Sequence, residues 1–434
     1  METQRIVVLG GGPAGSIAAL ALHRLGFAVT VVAAPRRPAV EGLSERVLEA
    51  LRRAGCARAL DAVGPPVPRR SSWGGQTTVI NREWVVERDR LDAGLLEDLR
   101  QAGVSVIEGT ATAAEPVAAG WQITVRGRLD PLAADFLVEA RGRRAPHRTS
   151  SVTRGPAALA VARRFSVPVR APFTAIAACR DGWAWFGDAG QGWAVLQCVF
   201  DNQTLGSEPG LDALHDALVS NLPEATAWLG PDAVPLDGVT GRDAGATLQD
   251  EIITARMLRV GDAAFAIDPL SGHGMFEAAG GAMAAAPVIN TLLRRPEDAA
   301  LAMEFFETRA RGAFLRHARV GRELYALETR WPTAPFWAAR QVWPDAEPSH
   351  PEPGAARLEN RPVVENGMVV RRAVVVSQDQ PRGVRFIDGV DLAAVVDLAG
   401  QGMDLEALAA RLGQPAAAVR SALAWLCGQG VLGG

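Results

Sequence analysis

The stretch Ile6-Val7-Val8-Leu9-Gly10-Gly11-Gly12-Pro13-Ala14-Gly15, continued by Ser16-Ile17-Ala18-Ala19-Leu20-Ala21-Leu22, decides the fold. An apolar run of strand length, a glycine-rich turn and an Ala/Leu run of helical period follow one another directly, as a strand–turn–helix unit requires. In Gly10-x-Gly12-x-x-Gly15 the first glycine makes the tight turn and the second lets the main chain approach a pyrophosphate. The third lets helix and strand pack closely, and the helix start offers N–H groups and a positive dipole end to phosphate. Glycine-rich turns also arise for conformational reasons alone, so it is the flanking strand and helix that make this one a dinucleotide site. Gly10, Gly12, Pro13, Ala14 and Gly15 are the expected contacts.

Far along the chain, Val260-Gly261-Asp262-Ala263 leads into Asp268-Pro269-Leu270-Ser271-Gly272-His273-Gly274. A strand from Met257 to Val260 would deliver Asp262 to a ribityl hydroxyl. The turn carrying Pro269, Gly272 and Gly274 opens a helix at Met275 whose N-terminus can face the flavin pyrimidine edge, where negative charge gathers on reduction. This second segment separates FAD from a nicotinamide dinucleotide.

With both segments in place, the chain resembles the single-domain flavoprotein monooxygenases and the tryptophan halogenases and geranylgeranyl reductases that share their fold. Two further stretches match that family. Val86-Glu87-Arg88-Asp89-Arg90-Leu91-Asp92 is similar to its Arg-containing helix start, which puts Arg88 in the position of the flavin-contacting Arg. Asp135-Phe136-Leu137-Val138-Glu139-Ala140-Arg141-Gly142-Arg143 resembles the strand beside the FAD pyrophosphate, with Gly142 at its end. Glu41-Gly42-Leu43-Ser44 lies where the family places a loop against the isoalloxazine. Glu41 therefore reads as a flavin-site residue or as a charge at the start of the helix Glu45 to Ala54, and Ser44 as a cofactor contact. One departure concerns the ribose: the family's second strand ends in a carboxylate, whereas Phe27 to Val32 here runs into Ala33-Ala34-Pro35-Arg36-Arg37. The expectation is comparatively weak FAD retention, or compensation by Arg36 and Arg37.

The 434 residues suffice for two or three domains, and 48% hydrophobic with 21% charged residues is an ordinary globular balance. A net charge of −3 implies no polyanion partner, and all 45 basic residues are Arg. Cys56, Cys179, Cys198 and Cys427 lack CxxC spacing, so neither a metal site nor a disulfide framework is expected. Met1 leads into the first strand without a charged-then-apolar leader, which reads as cytoplasmic. Phe276 to Leu293, Ala/Gly-rich and containing Pro287, reads as a cofactor-packing helix and not a membrane span.

The expected fold is α/β with an α+β substrate domain: a glutathione-reductase-like Rossmann FAD domain (1–75, 87–157 and 250–340) interleaved with an antiparallel substrate-binding sheet (76–86 and 158–249). A Pro-rich linker (341–365) and a winged-helix-like domain (366–434) follow. The strands expected in the sheet are Phe173 to Ala178, Gly182 to Gly187 and Gly192 to Phe200. The last domain should carry helices Val390 to Leu398, Leu405 to Leu412 (capped by Asp404) and Ala416 to Cys427. From Phe386 onward it has five acidic residues against Arg411 and Arg420, which argues against phosphate neutralisation and hence against nucleic acid. It resembles the winged-helix peptide-recognition modules of peptide-modifying enzymes; structural padding and dimerisation are equally open.

The resemblance implies that reduced FAD reacts with O2 to a C4a-hydroperoxide that oxidises an electron-rich ring, with NADH or NADPH as external reductant. Trp183-Ala184-Trp185 is similar to half of the halogenase Trp-x-Trp signature, so Trp183 and Trp185 are either substrate contacts or core packing. Halogenases carry hypohalous acid on an amine, and this chain has no Lys. His273, between two glycines where relatives place Gln or Thr, is either a general base or a residue that caps the turn. His23, His147, His215, His317 and His350 read as surface or packing residues. The combination resembles the flavoproteins that hydroxylate a tryptophan side chain inside a protein during tryptophylquinone biogenesis. It implies a peptide or protein substrate and a radical-SAM enzyme as neighbour. Open alternatives are a hydroxylase of a free aromatic metabolite, a double-bond reductase and a DNA-binding redox sensor.

Overall fold

A computed structural model describes residues 3–146, 151–201, 210–352 and 354–432, so His147 and Pro353 lie outside the described residues. The chain divides into two compact units, one of residues 1–286 and 310–346, the other of residues 287–309 and 347–434.

The first unit is founded on the opening strand. Arg5–Leu9 pairs in parallel with Ala28–Ala33 on one side and Phe136–Glu139 on the other; Ser105–Glu108 and Met257–Arg259 extend the sheet at its two ends, and only Ile253–Thr254 runs antiparallel. Ile6, Val7, Val8 and Leu9 are buried on both faces, as continuous apolar strands of a covered parallel sheet must be. The three-stranded sheet Ala111–Val117, Gly120–Val125 and Leu132–Ala134 covers one side, where Val7 and Leu9 pack with Trp121 and Ile123. Val260 follows the Met257–Arg259 strand, so the Asp262 turn emerges at the carboxyl ends of the parallel strands, where α/β folds place ligands.

The second layer is a nine-stranded sheet in the order Val234–Pro235, Leu159–Ser166, Trp193–Phe200, Gly182–Asp188, Phe173–Cys179, Val67–Trp73, Gln76–Glu87 and Val40–Leu43, with Thr240–Asp243 also on Leu159–Ser166. All its pairings are antiparallel except Val67–Trp73 with Phe173–Cys179. The flavin domain therefore gives up more than expected: Val67–Trp73 and Val40–Leu43, assigned above to residues 1–75, belong to this sheet. The reason is Gly74-Gly75, both at positive φ, a two-residue turn that makes Val67–Trp73 and Gln76–Glu87 one hairpin.

In the second unit Asn366 and Gly367, at φ 50 and 71, close a hairpin of Arg357–Glu365 and Met368–Val376. The expected linker of 341–365 is thus too long, because its last nine residues are strand. Pro287–Arg309 also groups with this unit and not with the flavin domain: Asn290 Nδ2 donates to the Gly367 carbonyl at 2.8 Å, and the Val369 N–H donates to Thr291 Oγ1 at 2.8 Å. The helices Leu392–Gly400, Leu405–Leu412 and Ala416–Gly428 enclose Val375, Val390, Val395, Leu408, Val419 and Leu426. Asp391 and Asp404 cap the first two through backbone N–H groups. The helix Gly274–Arg294 is long and apolar enough by composition to cross a membrane, and 61% of that window is buried.

Candidate functional site

The glycine turn is shaped by close approach. At Gly10 (φ 118) a Cβ would sit 2.3 Å from the Ala140 carbonyl oxygen, and at Gly15 it would sit 1.9 Å from the Gly10 carbonyl oxygen. Pro13 and Ala14 begin the helix Pro13–Arg24, whose first bond runs from the Ser16 N–H to the Gly12 carbonyl at 2.9 Å. The distant motif closes on this turn. At Gly261 a Cβ would lie 2.9 Å from Ala14 Cβ, and at Gly142 (φ 63) it would lie 4.0 Å from Asp262 Cβ. Arg143 Nε is 3.6 Å from Asp262 Oδ2. Two segments separated by most of the first unit thus meet at one place.

Two guanidiniums point at Gly12. Its Cβ position is 2.9 Å from Arg36 Nη1 and 4.0 Å from Arg88 Nη2. Arg88, buried at the start of the helix Arg88–Gln101, is held by Glu41 Oε1 on Nη1 and Asp92 Oδ1 on Nη2, both at 3.0 Å. Burial alone would lower its pKa, but those two carboxylates reverse the effect and raise it. Arg36 reaches Asp92 Oδ2 at 3.5 Å, and burial followed by repulsion from Arg88 lowers its pKa. Glu41 also faces Arg242 Nη1 at 3.5 Å. Burial would raise the Glu41 pKa, yet Arg88, Arg242 and Arg36 together pull it down to about 2. Glu41 is therefore a permanent counter-ion with no proton to exchange near neutrality. It stands in the strand Val40–Leu43 and not at a helix start, which corrects the helix-start reading, and its place beside Arg88 keeps it among the residues around the glycine turn.

The turn Pro269–Ser271 is capped by Asp268, whose Oδ1 accepts from the Leu270 N–H at 2.9 Å; Gly272 follows in the left-handed region and Gly274 and Met275 open the long helix. A Cβ on Gly272 or Gly274 would meet nothing within 4 Å, so this side of the turn is open. His273 stands between them, its ring 5.0 Å from that of His317, and its Nδ1 is buried without a hydrogen-bond partner. Burial first, and the neighbouring His317 second, lower its pKa, which favours the neutral base. His317 Nε2 is 2.8 Å from Glu277 Oε1, and Arg316 approaches the same oxygen at 3.3 Å. Ser44 precedes the helix Glu45–Ala54, but its Oγ makes no cap bond and is also buried without a partner.

Trp183 and Trp185 are 3% and 7% exposed and belong to the core of the nine-stranded sheet. Trp183 Nε1 donates to Tyr325 Oη at 3.1 Å, Tyr325 Oη donates to Asp268 Oδ1 at 3.0 Å, and Trp185 Nε1 donates to Glu83 Oε2 at 3.1 Å. With their N–H groups satisfied inside the protein, neither presents a face to substrate, which corrects the substrate-contact reading. His317, Glu277, Asp92 and Tyr325 were missed from sequence. Tyr325 is the single tyrosine of the chain, the one signal that could have marked it.

These residues fit FAD. Clearance at Gly12 beside two guanidiniums suits a pyrophosphate, Asp262 suits the ribityl chain, and Ser44 Oγ and His273 Nδ1 are polar atoms awaiting partners. Comparison with known proteins agrees. Residues 2–311 match the family described as FAD binding domain. The structure of the "peptidyl tryptophan dihydroxylase QhpG essential for tryptophylquinone cofactor biogenesis" is similar at 40% identity and TM-score 0.87, over 99% of this chain and 100% of that one. The flavin-dependent halogenase CmlS shares the fold at 20% identity and TM-score 0.73, over 88% of this chain and 86% of its own. Among curated proteins, a tryptophan 2-halogenase of Chondromyces crocatus is 26% identical over 79% of this chain and 71% of its own length. The glycine turn, the aspartate turn and the match across most of the first unit lead to one conclusion: the chain belongs to the FAD-binding-domain family and is a flavin-dependent oxidoreductase.

Proposed function

We propose that this flavoprotein is a monooxygenase that hydroxylates, twice, the indole ring of a tryptophan held within a polypeptide during tryptophylquinone biogenesis. The observation that carries this reading is the 40% identity along essentially the whole chain to the peptidyl tryptophan dihydroxylase, the C-terminal unit included. The absence of lysine supports oxygen transfer over halogen transfer.

When bound and reduced, FAD supplies the activation of O2. Each hydroxylation puts one oxygen atom into a ring C–H bond and sends the other to water, with two electrons from NADH or NADPH. Arg36 and Arg88 place positive charge at the pyrophosphate turn, Glu41 and Asp92 hold Arg88 in place, and Asp262 accepts from a ribityl hydroxyl. Gly142, Pro269 and the amides of Gly272 to Met275 line the remaining contour. His273, neutral and with Nδ1 free, takes the proton that leaves the indole ring. His317 and Glu277 set which ring nitrogen of that pair carries the proton. The C-terminal unit, which we read as winged-helix-like and which is acidic from Phe386 onward, recognises polypeptide and not nucleic acid. The unpaired cysteines support a cytoplasmic site of action, beside the radical-SAM enzyme that would act on the same precursor.

The test is mass spectrometry of candidate precursor polypeptides incubated with enzyme, FAD, NADH and air. A gain of two oxygen atoms on one tryptophan is expected, and His273→Ala should retain FAD yet lose the gain. Oxygen insertion into a free indole but into no polypeptide would overturn the reading.

A further inference from the structure

An open sheet edge runs from the outer hairpin toward the flavin site. Gln76–Glu87 is a twelve-residue strand, but its outer neighbour, Val40–Leu43, pairs only with Trp84 to Glu87. Along Gln76 to Glu83 no other strand of the described residues covers the outer edge, and Gln76 to Arg82 are all exposed, Val79 at 69% and Ile80 at 50%. Proteins normally shield such an edge with lysine, proline or a covering element, because its free N–H and C=O groups template another strand. Here the edge carries no Pro and no Lys, and only the extra residue at the register shift opposite Arg69/Arg70 interrupts it.

The edge is held rigid at both ends. At the turn the Gly74 N–H donates to Glu328 Oε2 at 2.9 Å and Trp73 Nε1 donates to the Leu324 carbonyl at 3.1 Å. At the other end, pairing with Val40–Leu43 fixes it. Its charge is mostly of one sign: from Val67 to Glu83 the hairpin holds Arg69, Arg70 and Arg82 against Glu83, whose side chain is largely buried. Arg82 donates to the Pro66 carbonyl, Arg70 lies over the Phe173 ring at 4.3 Å, and Arg69 lies 3.9 Å from Glu83. The acids nearest the turn are Glu224, bonded to Ser72, and Glu328.

We propose that Gln76–Arg82 docks an extended acidic segment of the polypeptide substrate by strand addition. Main-chain bonds give the affinity, and the arginines select the charge. Continuity with the site argues for this occupant. The added strand must end where Val40–Leu43 takes over the edge, and that strand carries Glu41, the partner of Arg88. The chain is thus released toward the flavin turn. Because Trp73 and Gln76 flank a two-residue turn and exchange hydrogen bonds, alternate pairs leave the N–H groups of Thr77 and Val79 facing outward.

This docking mode rests on the polypeptide reading above. The probe is a labelled peptide of roughly twelve residues with Glu at alternate positions around a central Trp, titrated by fluorescence anisotropy against FAD-loaded protein. Val79→Pro, which removes an outward donor and leaves the hairpin ladder intact, should weaken binding about tenfold, whereas Val79→Ala should change it less than about threefold. N-methylation of alternate peptide amides should weaken binding to the unmodified protein by a similar factor, which tests the same bonds without risk to the fold. The Arg-for-Glu peptide should bind at least about tenfold more weakly. Equal losses for Val79→Pro and Val79→Ala together with an unaffected N-methylated peptide would overturn the proposal. So would an edge-to-edge dimer in sedimentation that Val79→Pro dissolves. Oxygen gain on a polypeptide whose binding ignores Val79→Pro removes the docking edge alone; edge binding without oxygen gain supports the edge and removes the chemistry.

Discussion

Replacing Glu41 by glutamine deletes the carboxylate that Arg88 and Arg242 share while keeping its shape. The folded protein holds that carboxyl at about 2 against an ordinary 4.5. At about 1.4 kcal/mol per tenfold change in proton affinity, its ionised form is worth roughly 3 kcal/mol near neutrality. This is an upper figure, since a quarter of the side chain remains open to solvent. The sign follows from linkage: a carboxylate with a depressed folded pKa stabilises above 4.5, and that contribution is lost as pH falls toward 2. Urea unfolding of the flavin unit, followed by cofactor release at pH 7, should show Glu41→Gln weaker by up to roughly 3 kcal/mol, narrowing to roughly 2 kcal/mol by pH 3.5. A loss below about 0.5 kcal/mol at pH 7, or a gap that widens on acidification, would refute the view of Glu41 as a fixed counter-ion.

Four further outcomes are expected. Gly15→Ala drives a methyl into the Gly10 carbonyl and should yield colourless protein; full flavin absorbance would contradict the turn geometry. Arg36→Ala should weaken FAD binding and flatten its salt dependence in equilibrium titration, and an unchanged dissociation constant would remove Arg36 from the pyrophosphate. Tyr325→Phe strands the Trp183 N–H and one bond to Asp268, at a cost of about 1–3 kcal/mol in urea unfolding, and a neutral result would refute the relay. Burial lowers the pKa of both His215 and His273, so the unfolded chain binds more protons below about 6.5 and stability should fall as pH drops through that region. Replacing both by Gln should flatten the melting-temperature profile between pH 7 and 5.

Four strands of the flavin sheet, Arg5–Leu9, Ala28–Ala33, Phe136–Glu139 and Met257–Arg259, were legible as apolar runs near glycines whose turns carry their own chemistry, whereas the short Ser105–Glu108 and Ile253–Thr254 were not. The helices Glu45–Ala54 and Leu405–Leu412 fall at the expected residues, the second begun by its Asp404 cap and both ended at the Gly55 and Gly413 stops. Strand membership was not legible. Val67–Trp73 reads Val-Pro-Arg-Arg-Ser-Ser-Trp without apolar alternation, and nothing local says that it pairs with Phe173–Cys179, far away in sequence. In the site, glycine contacts were readable because a missing side chain is itself a signal. Charge roles were not, since the state of Glu41 depends on Arg88, Arg242 and Arg36, which the fold alone brings together. The Trp183-x-Trp185 pattern misled because alternation in a strand puts both indoles on one face, and the fold covers that face, with Tyr325 bonded to Trp183 and Glu83 to Trp185.

The order in which the pieces leave the ribosome sets when the protein can turn yellow. Gly10 to Gly15 are made long before the surface that closes on them, Gly261 to Met275. Until that stretch clears the exit tunnel, the nascent parallel sheet lacks its Met257–Arg259 strand and the turn against Ala14, and holds an incomplete nest for phosphate. Cofactor capture is thus a late step of biosynthesis, and premature termination before Asp262 leaves a fragment with the familiar glycine fingerprint that cannot retain flavin.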